Sequence, residues 1–136
     1  MQMRIFAGCF ETQRSTSGGH LCIEGPNTHV PLHALSKRQD STATSTPEAE
    51  IVSASTVTRT ILIPAMGLWE ILLKGPKSQG ILKDDNDAAI RVMTTGRNPT
   101  MKQVHRVHGV SIASLHEIVV KTRRLWCCWS TARLIK

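Results

Sequence analysis

The chain has 136 residues, of which 40% are hydrophobic and 20% are charged. These values fit one globular domain with a single core. The most apolar window, TILIPAMGLWEILL, contains Pro64, Gly67 and Glu70. We expect this window to be too short and too interrupted to cross a membrane, and we therefore expect no membrane partner.

The cysteines, Cys9, Cys22, Cys127 and Cys128, contain no CxxC pair. This spacing argues against a disulfide framework or a zinc site, and it favours reduced cysteines in an intracellular protein.

The net charge of +7 is unevenly placed. Residues 101–136 carry seven Lys or Arg and a single acidic residue, whereas residues 1–50 are nearly neutral. A basic end on a neutral body is typical of contact with a polyanion, most often nucleic acid. A solvated basic face is the alternative interpretation.

The first third of the chain reads as an antiparallel meander of strands at 3–9, 20–25 and 28–36. A turn rich in Ser, Thr and Gly, residues 11–19, separates the first two strands. Pro31 lacks a backbone donor, so it predicts an edge position or a bulge in the third strand.

A helix is predicted to begin with Thr46 as N-cap and Pro47 at the first helical position. Glu48 suits the positive end of the helix dipole. Pro64 is expected to end this helix, because it disfavours the helical conformation of the residue before it. A second, short helix is predicted at about 65–73.

The remaining elements are a strand at 81–85, helices at 86–96 and 107–121, and a last strand at 124–130. Gly96 lies where the first of these helices should end. The order of strands and helices implies one mixed sheet with helices packed against it.

Four segments together resemble the ribonuclease H domain of copia-type retrotransposon Pol polyproteins. They are FAGCFETQRSTSGG (6–19), LSKRQDSTATSTPEAE (35–50), DDNDAAI (84–90) and GRNPTMKQVHRVHGVSIASLHE (96–117). The resemblance covers roughly residues 3–131, and it identifies residues 1–136 as a single, incomplete ribonuclease H-like domain.

The resemblance implies an α/β fold, with a mixed five-stranded sheet whose first three strands are antiparallel and with helices on both faces. It also implies cleavage of the RNA strand of RNA–DNA hybrids by two Mg²⁺ ions about 4 Å apart. Family members supply four carboxylates as ligands. Two of them match Glu50 and Asp85, which are therefore the candidate catalytic and metal-binding residues, whereas Glu48 is expected to be an ordinary first-turn acid.

Two of the four ligands are absent. Met3, Arg4 and Ile5 stand where the family has Asp-Ala-Asp, and the chain ends at Lys136, before the segment of the last helix and its Asp. The remaining carboxylates are not expected to hold two Mg²⁺ ions, and Asp84 is expected to face the other side of its strand. We therefore expect an inactive domain, whose uncovered sheet promotes self-association.

Three alternatives stay open: an active nuclease completed by a flanking region or a partner chain, a non-enzymatic module that binds nucleic acid through its basic end, and a decayed fragment. The RNA–DNA hybrid or another nucleic acid would be bound weakly through phosphate and 2′-hydroxyl contacts. The candidate residues for these contacts are Arg14, Ser15, Lys37, Arg38, Arg123 and Arg124.

Overall fold

The computed structural model describes residues 14–25, 27–73, 80–97, 104–121 and 125–129, and it has a mixed α/β fold. The predicted first strand at 3–9 lies outside the described residues, as do Arg123 and Arg124.

The first two described strands form an antiparallel hairpin, β1 (Thr16–Gly25) and β2 (Thr28–Arg38). The register shifts between Leu21, which pairs with His33, and Cys22, which pairs with Pro31. The intervening Leu32 has no partner in the ladder, as in a β-bulge. The predicted irregularity at Pro31 is confirmed.

Strand β1 begins earlier than the sequence suggested, because Thr16–Gly19 pair with β2 instead of forming a turn. Gly19 faces the central helix: a Cβ atom there would lie 2.4 Å from Cγ2 of Val57. This glycine therefore serves a close approach between a strand and a helix. The prediction of a turn was wrong at these positions, since tertiary packing, not backbone freedom, accounts for Gly19.

Helix α1 (Thr46–Val57) is the central helix. Its N-cap is Ser45, one residue before the predicted Thr46, and the Ser45 hydroxyl accepts from the backbone N–H of Glu48 at 3.4 Å. Nine of its twelve residues are buried. A helix buried nearly all round must have neighbours on several sides, and α1 packs against both β1 and a later helix, α3 (Asp87–Thr95).

The chain stays helical through a π-helical turn, Thr58–Leu62, into α2 (Ile63–Leu73), so the prediction that Pro64 ends the helix was wrong. In the π turn the backbone N–H of Ile63 donates to the carbonyl of Thr58, five residues earlier. A proline ring inside a regular α-helix clashes with the carbonyl four residues before it. The wider turn that precedes Pro64 relieves this conflict.

The continuous helix Thr46–Leu72 has 27 residues and a mean hydropathy of 1.4, so by length and composition it could cross a membrane. The helix extends beyond the window TILIPAMGLWEILL because it does not break at Pro64, and the expectation of no membrane partner stays a prediction. Half of its apolar window is buried inside the protein, which is also the behaviour of a core helix.

Strand β3 (Gly80–Asp84) leads into α3, whose N-cap Asn86 accepts from the backbone N–H groups of Ala88 and Ala89. Gly96 ends α3 with a φ of 66°, as predicted.

The predicted single helix at 107–121 is divided. It consists of α4 (Val104–His108), α5 (Ile112–His116) and a π-helical turn, Glu117–Lys121. Gly109 separates α4 from α5 with a φ of 64°, a left-handed conformation that a continuing helix does not adopt. Strand β4 (Leu125–Trp129) pairs in parallel with β3.

The described strands thus form two two-stranded ladders, and the predicted five-stranded sheet is not shown. The core lies between α1, β3, α3 and the α4–α5 region. Its most deeply buried large apolar side chains are Ile51, Val57, Leu82, Met93, Val104 and Leu115.

Candidate functional site

The carboxylate of Glu50 lies in an unfavourable environment for a charge. The residue is only 8% exposed, and within the described residues no donor forms a hydrogen bond with its side chain. Burial, followed by the negative charges of Asp84 and Asp85, raises the pKa of Glu50 from 4.5 to about 7. The motif in the sequence thus selected a carboxylate whose pKa is raised, and shifted pKa values are frequent at functional sites.

Asp84, at the end of β3, is the second buried carboxylate and is only 2% exposed. Its Oδ1 accepts from the backbone N–H of Asn86 at 2.9 Å, and its Oδ2 has no partner among the residues described. Burial raises the pKa of Asp84, and Asp85 adds to the effect, whereas the backbone hydrogen bonds from Asn86 and Asp85 oppose it.

The expectation that Asp84 faces away from the site was wrong. Asp84 shares the buried face of β3 with Leu82, while Asp85 is exposed in the bend that follows the strand. The alternation of side chains was correctly anticipated, but the buried face belongs to Asp84. Glu50, Asp84 and Asp85 together are called the carboxylate cluster.

The carboxylate cluster does not form a ready metal cage. Among the described residues, no group of three His, Cys, Asp or Glu side chains is arranged to hold a metal ion. Two hard cations require several converging oxygen ligands from different elements. Within the described residues, the carboxylate cluster by itself does not supply such a set.

Glu50 borders a hollow of about 230 Å³ whose rim is rich in hydroxyl groups. The residues that line it are Ser15, Ala43, Thr44, Ser45, Thr46, Ala49 and Glu50. The hollow joins the start of α1 to the residue just before β1, so Ser15 and Glu50 lie at one site.

Basic side chains gather at the end of the hairpin where β1 begins and β2 ends. Lys37 pairs with Ser17 in the ladder, Arg38 pairs with Thr16, and all of Arg14, Lys37 and Arg38 are exposed. We call Arg14, Ser15, Lys37 and Arg38 the basic hairpin end. Four of the six candidate nucleic-acid contacts are thus neighbours, whereas Arg123 and Arg124 lie outside the described part of the chain.

Gln39 ties the basic hairpin end to α1. Its backbone N–H donates to the carbonyl of Ser15 at 2.9 Å. Its side-chain nitrogen donates to the Ser17 hydroxyl at 3.1 Å and to the carbonyl of Ala49 at 3.0 Å. Because Ala49 precedes Glu50, these bonds fix the basic hairpin end relative to the carboxylate cluster.

Glu48 has a larger role than the sequence suggested. Its Oε2 accepts from the backbone N–H of Thr44 at 2.8 Å and from the Thr44 hydroxyl, and its Oε1 lies 3.2 Å from Nε2 of His108. Burial raises the pKa of Glu48, but the bonds from Thr44 and the charge of His108 outweigh it and leave the pKa below 4.5. The spacing Ser45-x-x-Glu48, typical of a capping box, could have revealed the local part of this arrangement, between the loop and the start of α1.

Comparisons with protein-family models, curated proteins and solved structures find no match to this chain.

Proposed function

We propose that this chain is a ribonuclease H-like domain derived from a retrotransposon Pol polyprotein, which binds nucleic acid weakly and does not cleave it. The observation that carries the proposal is the convergence of Glu50 with Asp84 and Asp85. These residues come from two motifs that are 34 positions apart in the chain, and the Glu50 pKa responds to both aspartates.

The proposed fold needs five strands. Four are described, β1 to β4, as an antiparallel and a parallel pair. The segment at 3–9 has the sequence of a further strand, and we propose that it completes one mixed sheet with them.

The proposed absence of cleavage follows from the carboxylate ligands that the described residues offer. A two-ion centre needs ionised carboxylates from several elements, because one carboxylate cannot neutralise two divalent cations. In the absence of a cation, the side chain of Glu50 is about half protonated near pH 7, since its pKa is about 7. Mg²⁺, where bound, would activate water and stabilise the leaving oxygen. The described carboxylates do not fit it, so no step is assigned to the ion.

Binding is attributed to the basic hairpin end. Arg14, Lys37 and Arg38 are exposed cations that can contact phosphates, and Ser15 offers a hydroxyl beside them. Phosphate contacts position a nucleic acid without reading its sequence. We therefore propose weak binding to RNA–DNA hybrid and to duplex, with little sequence preference.

The first experiment is a cleavage assay on labelled RNA–DNA hybrid with Mg²⁺ or Mn²⁺. We expect no product from the chain as it stands, and none after Met3→Asp, because that change restores only one carboxylate. Glu50→Gln is the matched control for a contaminating nuclease. Cleavage by the unmodified chain that Glu50→Gln abolishes would overturn the proposed lack of activity and favour an active enzyme.

The second experiment measures binding as a function of salt. We expect a dissociation constant in the micromolar range or weaker at physiological salt, with a steep loss of affinity as salt rises. Replacing Lys37 and Arg38 together by Gln should flatten the salt slope by about one unit per lost contact. Arg59→Gln, an exposed cation beyond the opposite end of α1, is the control and should change little.

Binding that is independent of salt, or equal for both variants, would place the contact surface elsewhere. An absence of binding even at low salt would leave the decayed fragment as the better interpretation.

A further inference from the structure

A second hollow, of about 190 Å³, lies between the basic hairpin end, α1 and α4, and is here called the valine hollow. Its apolar walls are Val52 of α1, Val107 of α4 and Val110 just after α4. A cavity needs only about 10–15 Å³ to hold one water molecule, whereas sites for drug-sized molecules usually have about 300–1,000 Å³. The valine hollow therefore has the size for a small organic group, such as a single ring.

Gln39 supplies an unpaired acceptor to the lining of the valine hollow. The residue is only 5% exposed, and its Nε2 donates to the Ser17 hydroxyl and to the carbonyl of Ala49. A carbonyl only accepts, so turning the amide over would set two oxygen atoms against each other. The Oε1 of Gln39 is thereby left buried without a partner among the described residues. Because an unpaired buried acceptor is unfavourable, a bound group that carries an N–H donor would gain from this position.

The elements around the valine hollow are tied to one another. The Ser41 hydroxyl donates to the carbonyl of Val107 at 3.2 Å, which joins the loop after β2 to α4. Nε2 of His108 lies 3.2 Å from Oε1 of Glu48, which joins α4 to α1. The bonds of Gln39 join α1 to the hairpin. The hollow is therefore preformed, and a preformed site loses less conformational freedom when a ligand binds.

We propose that the valine hollow binds one unpaired base of a nucleic-acid strand, with the adjoining phosphate at Lys37. A base has two apolar faces, which suit the valine walls, and N–H donors at its edge, one of which would donate to Oε1 of Gln39. Adenine, cytosine and guanine carry exocyclic amino groups, and thymine and uracil carry a ring N–H, so little preference among bases is expected. In a duplex these donors are used in base pairs, so an unpaired base fits the site.

Charge supports the same occupant. Lys37 is exposed and lines the valine hollow, so a phosphate beside the inserted base can contact it. Asp40, which is also exposed and in the lining, suits a ribose hydroxyl or a base amino group and disfavours a second phosphate. The inference rests on the proposed function, because Lys37 is one of the phosphate contacts proposed above.

Thr56→Phe is the variant that should fill the valine hollow. Thr56 lines the hollow, is half-buried, and donates its hydroxyl only to the carbonyl of Val52 in its own helix, at 2.9 Å. Thr60→Phe is the matched control, because Thr60 is exposed, is not in the lining, and donates in the same way to the carbonyl of Thr56. Val107→Phe, at an exposed position of the lining, is a second filling variant in case Thr56→Phe impairs folding.

The binding experiment compares two labelled strands of about eight nucleotides by fluorescence anisotropy at low salt. One strand carries thymine throughout, and the other has the same backbone without bases. We expect the parent chain to bind the thymine strand about fivefold more tightly or better. Thr56→Phe should remove this difference, Thr60→Phe should retain it, and both variants should bind a blunt RNA–DNA hybrid as the parent does.

The outcomes separate this inference from the proposed function. Equal affinity of the parent for the two strands, together with binding to the blunt hybrid, would overturn the base site and leave the phosphate contacts standing. A preference for thymine that both Phe variants reduce equally would also overturn it. Thymidine 5′-monophosphate that occupies the hollow, without any preference between the strands, would assign the hollow to a free nucleotide instead. A chain that binds neither strand nor hybrid would overturn the proposed function as well.

Discussion

The buried carboxylate of Glu50 should make the stability of this protein depend on pH. In the folded chain its pKa is about 7, and in the unfolded chain it should lie near 4.5. Between these values the folded state holds a proton that the unfolded state has released. Stability should therefore fall as the pH rises from 4.5 through 7, and the loss should be complete above that range.

The size of the effect follows from the difference of 2.5 between the two pKa values. At about 1.4 kcal/mol per pKa unit, the ionised carboxylate lowers the free energy of unfolding by up to about 3–4 kcal/mol. Glu50→Gln keeps the shape of the side chain and removes its charge. At pH 8 the variant should be more stable than the parent, with a melting temperature higher by about 10 °C, and at pH 5 the difference should shrink to less than about 1 kcal/mol.

The assay is thermal or urea unfolding of both proteins at several pH values from 5 to 8. Only the difference between the two curves is used, because groups that do not interact with Glu50 titrate equally in both. Asp40→Asn, which removes an exposed carboxylate from the loop after β2, is the control and should run parallel to the parent. A Glu50→Gln protein that is less stable than the parent at pH 8 would refute the reasoning.

Four further outcomes are expected. Glu48→Gln should lower the free energy of unfolding by about 1–3 kcal/mol at pH 7. Because the folded pKa of Glu48 is lowered, the difference should shrink as the pH falls below 4.5, and urea unfolding at pH 7 and pH 3.5 checks this. Gly19→Ala should cost about 1–3 kcal/mol through overpacking against Val57, and a double-mutant cycle with Val57→Ala should recover part of the loss. Asn86→Ala should cost about 1 kcal/mol in thermal unfolding, because it removes both capping bonds of α3. A chelator should leave the melting temperature at pH 8 unchanged, since the described carboxylates form no metal cage, and a clear drop would instead reveal a bound cation.

The sequence correctly predicted those features of the helices and strands that depend on one residue and its immediate neighbours. The end of α3 at Gly96 and the irregularity at Pro31 were both anticipated, because each acts through its own backbone and its nearest neighbours. Gly18 and Gly19 were misread as a turn, because the reason for Gly19 is Val57, 38 positions away in the chain. Such a reason is not visible in a local pattern.

The candidate site was predicted in its acidic residues but not in their arrangement. Glu50 was selected by its motif, whereas Asp84 was set aside because the pleat rule gives alternation without saying which face is buried. The contact of His108 with Glu48 could not be predicted, because it needs the positions of both α1 and α4. Charge and position in the motifs indicated Arg14, Lys37 and Arg38, and the ladder register places the last two opposite the start of β1.

The π turn at Thr58–Leu62 sets the direction in which the side chains of α2 point. It accommodates one residue more than a regular turn would, and each residue turns an α-helix by about 100°. Deleting one residue here would restore the regular spacing and rotate Leu68 and Ile71 away from their present direction by about that angle. The deletion of a single residue in this short segment would therefore change which side of α2 is apolar, although none of the residues of α2 would be substituted.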